Sequence, residues 1–372
     1  MYFYYFCTLD FQRFQLLTMK EIIPAVDREL LKKELTPEKF FRPTNKAHNE
    51  IYITTAAKSP NVMREIGRLR EISFRSWGGG TGNDIDVDKY DFLRKPYKQL
   101  IVWDPEAEEI VGGYRFLSGN DVAFDEQGQP EFVMSHLFRF SEKFIIDYLP
   151  YTIELGRAFV QPDYQTSKMG TKSLFALDNL WDGLGALIHK EKKAKYFIGK
   201  VTIYDSYPVV ARELLYEYMF LHFPDKDELI QPKLEVKVSN EGKLKALEVL
   251  KEGNSKDDYK ALQKVVRHEG TTIPPLFNAY IGLSDTMRMF GSIIDPDFSG
   301  AYESGIMVNM DDLFESKRQR YIDPYIFYLK QIVNEKRAAM RATKIEKQKD
   351  KRPSKMKQLA QEFRDKRWNK KV

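Results

Sequence analysis

Apolar positions along the chain change period several times, and each change marks an element. Residues 19–35 read as a helix, broken by Pro37 and Pro43. Val62, Ile66, Leu69 and Phe74 fall near one helical face, and Gly78, Gly79 and Gly80 close that helix. An aspartate-rich loop, NDIDVDKYD, covers residues 83–91. Two β-type runs, QLIVWD and EIVGGYRFL, flank a turn at Pro105–Glu108 and predict an antiparallel hairpin, and YTIELGRAFV (151–160) predicts another strand.

Leu174, Leu177, Trp181, Leu184 and Ile188 give residues 170–190 helical spacing. A buried strand at 195–203 and a helix at 207–221 follow. Residues 224–270 are charged and poorly periodic, the pattern of an insertion or lid with one helix at 242–251. Residues 273–283 run from prolines into a helix, 287–295 and 304–310 read as strands, and from about 325 the chain is helical and basic. The order predicts an α+β fold, a mostly antiparallel sheet flanked by helices. We divide it into an N-terminal helical segment at 19–60, a main domain at 61–315 and a basic helical tail at 316–372.

Charge separates the tail from the rest. The net charge is +5, but residues 336–372 hold 15 Lys and Arg against 4 acids, a surplus of +11, so the other 335 residues stand at −6. A single cysteine, Cys7, excludes an internal disulfide and favours a reducing, cytoplasmic setting. The five histidines show no paired metal-ligand spacing, and no metal is expected. No GxGxxG or GxxxxGK[ST] occurs in a strand-to-helix context, which argues against a doubly wound nucleotide fold. Residues 1–18 are aromatic but fit no signal peptide; Met19 opens a more ordinary sequence and is the expected start, the alternative being an aromatic anchor.

The densest chemistry lies between residues 70 and 157: Arg70, Phe74, Arg75 and Trp77, then Asp86, Asp88 and Asp91, then Arg115, then Glu154 and Arg157. Glu154 and Arg157 sit three apart, on opposite faces of a regular strand, and Gly156 permits a bulge that brings them together. An ordinary ion-pair network would have the same composition.

The ordered set LREISFRSWG, DIDVDKYD, VGGYRFL and ELGRAFV resembles the branch of the GNAT superfamily that takes acyl groups from acyl carrier protein. ELGRAFVQPDYQ, IPPLFNAYIGL and IIDPDFSG resemble its aminolipid group, the ornithine-lipid and glycine-lipid N-acyltransferases often labelled hemolysin-like, over roughly residues 60–312. Gln161 stands where that group usually has His. The resemblance implies a GNAT-like fold and N-acylation of the α-amine of glycine or ornithine by a long, 3-hydroxylated acyl chain. It implies no bound cofactor, with acyl carrier protein bringing the thioester.

Such chemistry needs a base for the ammonium, and the resemblance places Glu154 there. A backbone N–H near Phe159 and Val160 suits the oxyanion. Arg115 and Arg157 suit a carboxylate or pantetheine oxygens. Asp88 and Asp91 either hold Arg70 or Arg75 or bind the acceptor's ammonium, and Asp86 or Asp297 would face an ornithine side chain. Phe74 and Trp77 would cover the acyl or pantetheine channel. The stretch QTSKMGTKS has one glycine, Gly170, where coenzyme A-dependent relatives cradle a pyrophosphate, which fits a carrier-protein donor with Lys168 and Lys172 as its contacts.

Three features stand outside that picture. His222 and Asp227 make a literal HxxxxD match to glycerolipid acyltransferases, read as chance because the companion block is missing. The tail intersperses Met340, Met356, Leu359 and Phe363 with its cations, the pattern of reversible attachment to an anionic membrane. That would make the protein peripheral on the inner face of the cell membrane; no nucleic acid partner is expected. The alternatives are an acyl-homoserine-lactone-type signal synthase and a non-catalytic, membrane-associated binding protein of the same fold.

Overall fold

The structure is a computed structural model that describes residues 19–251 and 253–368. Residues 1–18, with Cys7 and the expected start-site extension, lie outside the described residues. The chain divides into two compact units at Tyr321/Ile322.

The first unit is built on an eight-stranded sheet. In chain order its strands are β1 (Phe40–Pro43), β2 (Glu50–Thr54), β3 (Lys98–Asp104), β4 (Glu109–Ser118), β6 (Thr152–Val160), β7 (Tyr196–Ile203), β9 (Arg288–Asp295) and β10 (Ala301–Asn309). They lie in the order β1-β2-β3-β4-β6-β7-β10-β9. Every neighbouring pair is antiparallel except β6 and β7, which are parallel. A small second sheet pairs β5 (Phe138–Phe140) with β8 (Ile230–Pro232). The α+β reading and the predicted hairpin hold.

Two expectations need correction. The helix of 19–35 is only α1 (Arg28–Glu34), because Pro24 removes a donor and Asp27 caps the helix by accepting from the Glu29 N–H. Residues before it run irregularly along the aspartate loop, with Lys20 N bonded to Gly82 O and Ile23 N to Asp84 O. The segment 19–60 also contributes β1 and β2, which continue the central sheet; both are too short to show a clear alternation.

α2 (Pro60–Arg75) begins with proline in its first turn and buries Val62, Met63, Ile66 and Leu69. α3 (Thr171–Lys190) buries Trp181, Leu184 and Leu187, and α4 (Val209–His222) buries Leu214, Leu215 and Tyr218. In the insertion, α5 (Asn240–Val249) matches the expected helix, but α6 (Ser255–His268) was not expected. Its signals are Asn254, which accepts from the Asp257 N–H, and the buried pair Leu262 and Val266 four apart. His222 Nε2 lies 2.9 Å from Asp258 on α6, so the insertion is docked. α7 (Pro275–Ile281) precedes β9, and α8 (Glu315–Tyr321) ends the unit. The second unit is α9 (Asp323–Trp368), a helix of 46 residues.

Candidate active site

The parallel pair β6 and β7 stays in register only from Thr152↔Tyr196 to Leu155↔Gly199. Beyond it the strands diverge, while β6 continues along β4. The bulge predicted near Gly156 is present one residue on: Arg157 takes φ +48°, and the β4–β6 register shifts between Gly113 and Arg115. A side chain at Gly112 would meet Phe159 O at 2.4 Å, so glycine there lets the two strands close beside the bulge.

The bulge does not bring Glu154 to Arg157; each has its own partners. Arg157 Nε lies 3.0 Å from Asp86 Oδ2 and its Nη2 3.8 Å from Asp88, and its guanidinium sits 4.9 Å from the centre of the Phe298 ring. Arg115 Nη1 lies 2.8 Å from Asp88 and 3.4 Å from Asp91. Arg70 Nη1 lies 3.6 Å from Asp91 and its Nη2 donates to Gln99 Oε1 at 2.6 Å, while Gln99 Nε2 donates to Asp91 at 2.9 Å. Three arginines thus face three aspartates across one buried cluster. The aspartate loop reaches them because Gly67 on α2 lets it pass close: a Cβ there would lie 2.9 Å from Val87.

Charge sets the protonation of this cluster. Burial works against the Asp88 carboxylate, but Arg115 and Arg157 outweigh it and hold its pKa low. At Asp86 burial wins over Arg157 and Arg70, and its pKa is raised. Burial lowers Arg70 to about 10, while Asp91 and Asp88 overcome the same penalty at Arg115 and raise it.

Glu154 is 1% exposed and gripped by three donors. Met134 N–H donates to Oε1 at 2.7 Å, Val133 N–H to Oε2 at 3.1 Å, and the Tyr97 hydroxyl to Oε2. Burial raises its pKa, with the hydrogen bonds from Tyr97, Met134 and Val133 pulling the other way. Around it Phe132, Met134, Leu137, Phe138, Ile198 and Met307 form one apolar cluster.

The remaining expected residues divide. Arg70 is fully buried and cannot meet a substrate from solvent; it holds Asp91 and Gln99. Arg75 is drawn away from the aspartates to Glu71 at 2.8 Å and the Lys20 and Asn83 carbonyls, where it fixes the glycine loop. Phe74 is core, edge-on to Phe298 at 5.3 Å. Trp77 is 59% exposed and donates to Gln165 just past β6.

Val160 O accepts from Ser73 Oγ at 3.1 Å and from Gln165 Nε2, while Gln161 N bonds Val111 O on β4. The Val160 backbone therefore turns away from β4, toward the side from which β7 has diverged, and Phe159 takes the opposite phase. Lys168 pairs with Asp163 at 2.6 Å and stays mostly exposed. Lys172 is bound inward by Asp104 at 2.7 Å and Glu106 at 2.9 Å, so it is not a free contact for a partner. Gln161 Nε2 bonds Ile110 O at 2.7 Å, a structural place. Asp227 pairs with Lys143 and Arg288, apart from His222, so the HxxxxD match forms no pair. Tyr97, Gln99 and Phe298 were not singled out in the sequence; Tyr97, just before β3, and Gln99 within it lie two apart and both meet Arg115, the one signal available.

Residues 69–174 match the acetyltransferase (GNAT) domain family. A protein of Phocaeicola vulgatus named glycine N(alpha)-acyltransferase is 52% identical over 309 residues, which cover 83% of this chain and 94% of that protein. One of the same name from Bacteroides thetaiotaomicron is 53% identical over 310 residues, covering 83% of this chain and 91% of that protein. No solved structure matches the chain.

Proposed function

The chain belongs to the GNAT-type N-acyltransferase family of these two relatives, and from that premise we propose that it moves a 3-hydroxyacyl chain from acyl carrier protein to the amine of glycine. It is an N-acyltransferase with an amino-acid acceptor; glycine, the carrier-bound donor and the membrane surface are the proposal. The observation that carries glycine over ornithine, beyond the relatives' printed name, is the matched cluster. Asp86, Asp88 and Asp91 lie 3.0, 2.8 and 3.6 Å from Arg157, Arg115 and Arg70, so their charge is already balanced without a second, side-chain ammonium. Asp297 is exposed and pairs with His136 instead.

In the proposed reaction the glycine amine attacks the thioester carbonyl in the divergence of β6 and β7. A C–N bond forms, the C–S bond breaks, and the pantetheine sulfur leaves as the thiol, taking the second proton that the nitrogen sheds on becoming an amide. Glu154 first takes a proton from the glycine ammonium, directly or through a water, since burial makes its carboxylate a stronger base than usual. The Val160 N–H side of β6 faces the developing oxyanion. Arg157, the least buried of the three arginines, lies nearest a route for the acceptor's carboxylate. Lys168, paired with Asp163 at the surface but mostly exposed, is the cation at the turn before α3 that an acidic carrier protein would meet.

Among the described residues no helix is long and apolar enough to cross a membrane. We assign attachment to an anionic surface to α9, where Met356, Leu359 and Phe363 are exposed at helical spacing among lysines and arginines.

Purified protein given glycine or ornithine, with one 3-hydroxyacyl chain on carrier protein or on coenzyme A, tests the reading by mass spectrometry. N-acylglycine from the carrier-bound donor is expected. Faster transfer from coenzyme A overturns the donor, and a preference for ornithine overturns the acceptor.

A further inference from the structure

A second buried carboxylate stands beyond the divergence, on β10. Glu303 is 3% exposed and lies opposite Thr202 of β7, whose Oγ1 donates to Glu303 Oε1 at 3.0 Å. Its other oxygen, Oε2, is buried with no hydrogen-bond partner. Glu154 is in register with Ile198, and Ile198, Lys200 and Thr202 alternate onto one face of β7. Both carboxylates therefore rise from the same face of the sheet, Glu154 where β6 and β7 are still paired and Glu303 beside the part of β7 from which β6 has parted.

The groups around Glu303 come from several elements. Lys200 is held by Asp295 of β9 at 3.0 Å, so its charge is already matched. Arg157 of β6 and Tyr204, just past β7, are within electrostatic reach of the carboxylate. Burial raises its carboxyl pKa, opposed by Lys200, Thr202 and Arg157 and reinforced by Asp295. A buried carboxylate oxygen without a donor is costly, and a ligand carrying N–H donors and a positive charge removes that cost.

We propose that Glu303 Oε2 binds the ammonium of the incoming amino acid, with Arg157 beside it for the carboxylate, and so positions the acceptor at the divergence. This deepens the glycine reading and rests on it. A zwitterion of glycine's size presents its two charges two bonds apart, and Glu303 of β10 and Arg157 of β6 offer one buried anion and one cation that flank β7 within electrostatic reach of each other. Only the free amine can attack, so the ammonium first gives up a proton, which reaches Glu154, level with Ile198 four residues back along β7 from Thr202, through water; the two carboxylates thus divide holding and accepting between them.

The test is steady-state kinetics of Glu303→Gln and Glu303→Asp, with acceptor and acyl donor varied separately. For Glu303→Gln the glycine KM should rise at least 30-fold while the donor KM stays within twofold. Methylammonium, which carries only the cation, should compete with glycine in the wild type and not in this variant. A folded Glu303→Gln whose glycine KM stays within threefold overturns the assignment. If that variant fails to fold, Glu303→Asp decides: a glycine KM raised alone supports binding, and both KM values raised together overturn it. If the wild type prefers another amino acid, the glycine reading falls, while the same KM split measured on that acceptor still decides Glu303.

Discussion

The backbone N–H of Met134 donates to Glu154 Oε1 at 2.7 Å, joining a strand to a turn twenty residues earlier in the chain. With Val133 N–H and Tyr97 on the other oxygen, the carboxylate is fixed in direction, yet Oε1 keeps a lone pair. Glu154→Gln keeps the shape and removes the basicity. Its turnover with a carrier-bound donor should fall about 10²- to 10⁴-fold. An amide nitrogen in place of one oxygen faces the Met134 or the Val133 N–H donor, and should also cost about 1–3 kcal/mol of stability, read from urea unfolding. Unchanged turnover would remove Glu154 from the mechanism.

Buried Asp86 pairs with Arg157 at the bulge. Asp86→Ala leaves the Arg157 guanidinium beside Phe298 without its nearest anion, and should destabilise the protein by about 3 kcal/mol. Adding Arg157→Ala should cost less than the two single changes together, because the stranded charge is then gone. A strictly additive double-mutant cycle would contradict the pairing.

Asp182 gives a pH signature away from the site. It is buried on α3, accepts from Asn45 N–H at 2.8 Å, and burial raises its pKa from 3.8 to about 6 despite Asn45 and Arg42. A folded value above the unfolded one contributes stability that is complete below about pH 4 and lost as pH rises through about 6. Asp182→Asn removes that dependence. Relative to wild type, the variant should gain about 2 kcal/mol between pH 4 and pH 7, read from melting at each pH. A constant difference would refute the raised value.

His222 belongs to the docking of the insertion. His222→Ala should leave acyl transfer within twofold of wild type while lowering stability by about 1–3 kcal/mol and exposing the segment before α6 to protease. Loss of transfer in a folded variant would reopen the HxxxxD reading.

The sequence shows the hairpin and the strands 151–160 and 195–203 because their alternation or apolar content is strong. It shows Glu154, the aspartates and Arg115 because their residue types are dense. It cannot show which arginine meets which aspartate, since Arg70 and Asp91 meet through Gln99 on a different element. Arg75 looked like part of the cluster because Arg70 is five residues away, but five residues on a helix turn a side chain to another face. Glu303 escaped notice because its neighbours in sequence are unremarkable; only the pairing of β10 with β7 gives it a site.

The cluster of three arginines and three aspartates is close to neutral and largely buried, with only Arg157 and Asp88 partly exposed, whereas α9 carries its surplus of charge on an exposed helix. Added salt acts on these two arrangements unequally. At about 1 M the screening length shrinks to about 3 Å, enough to weaken exposed charges facing a surface and far less effective between buried ones. Under the proposed attachment through α9, ionic strength separates binding to a surface from catalysis, and a salt wash that strips the protein from anionic vesicles should leave its turnover on a dissolved donor intact.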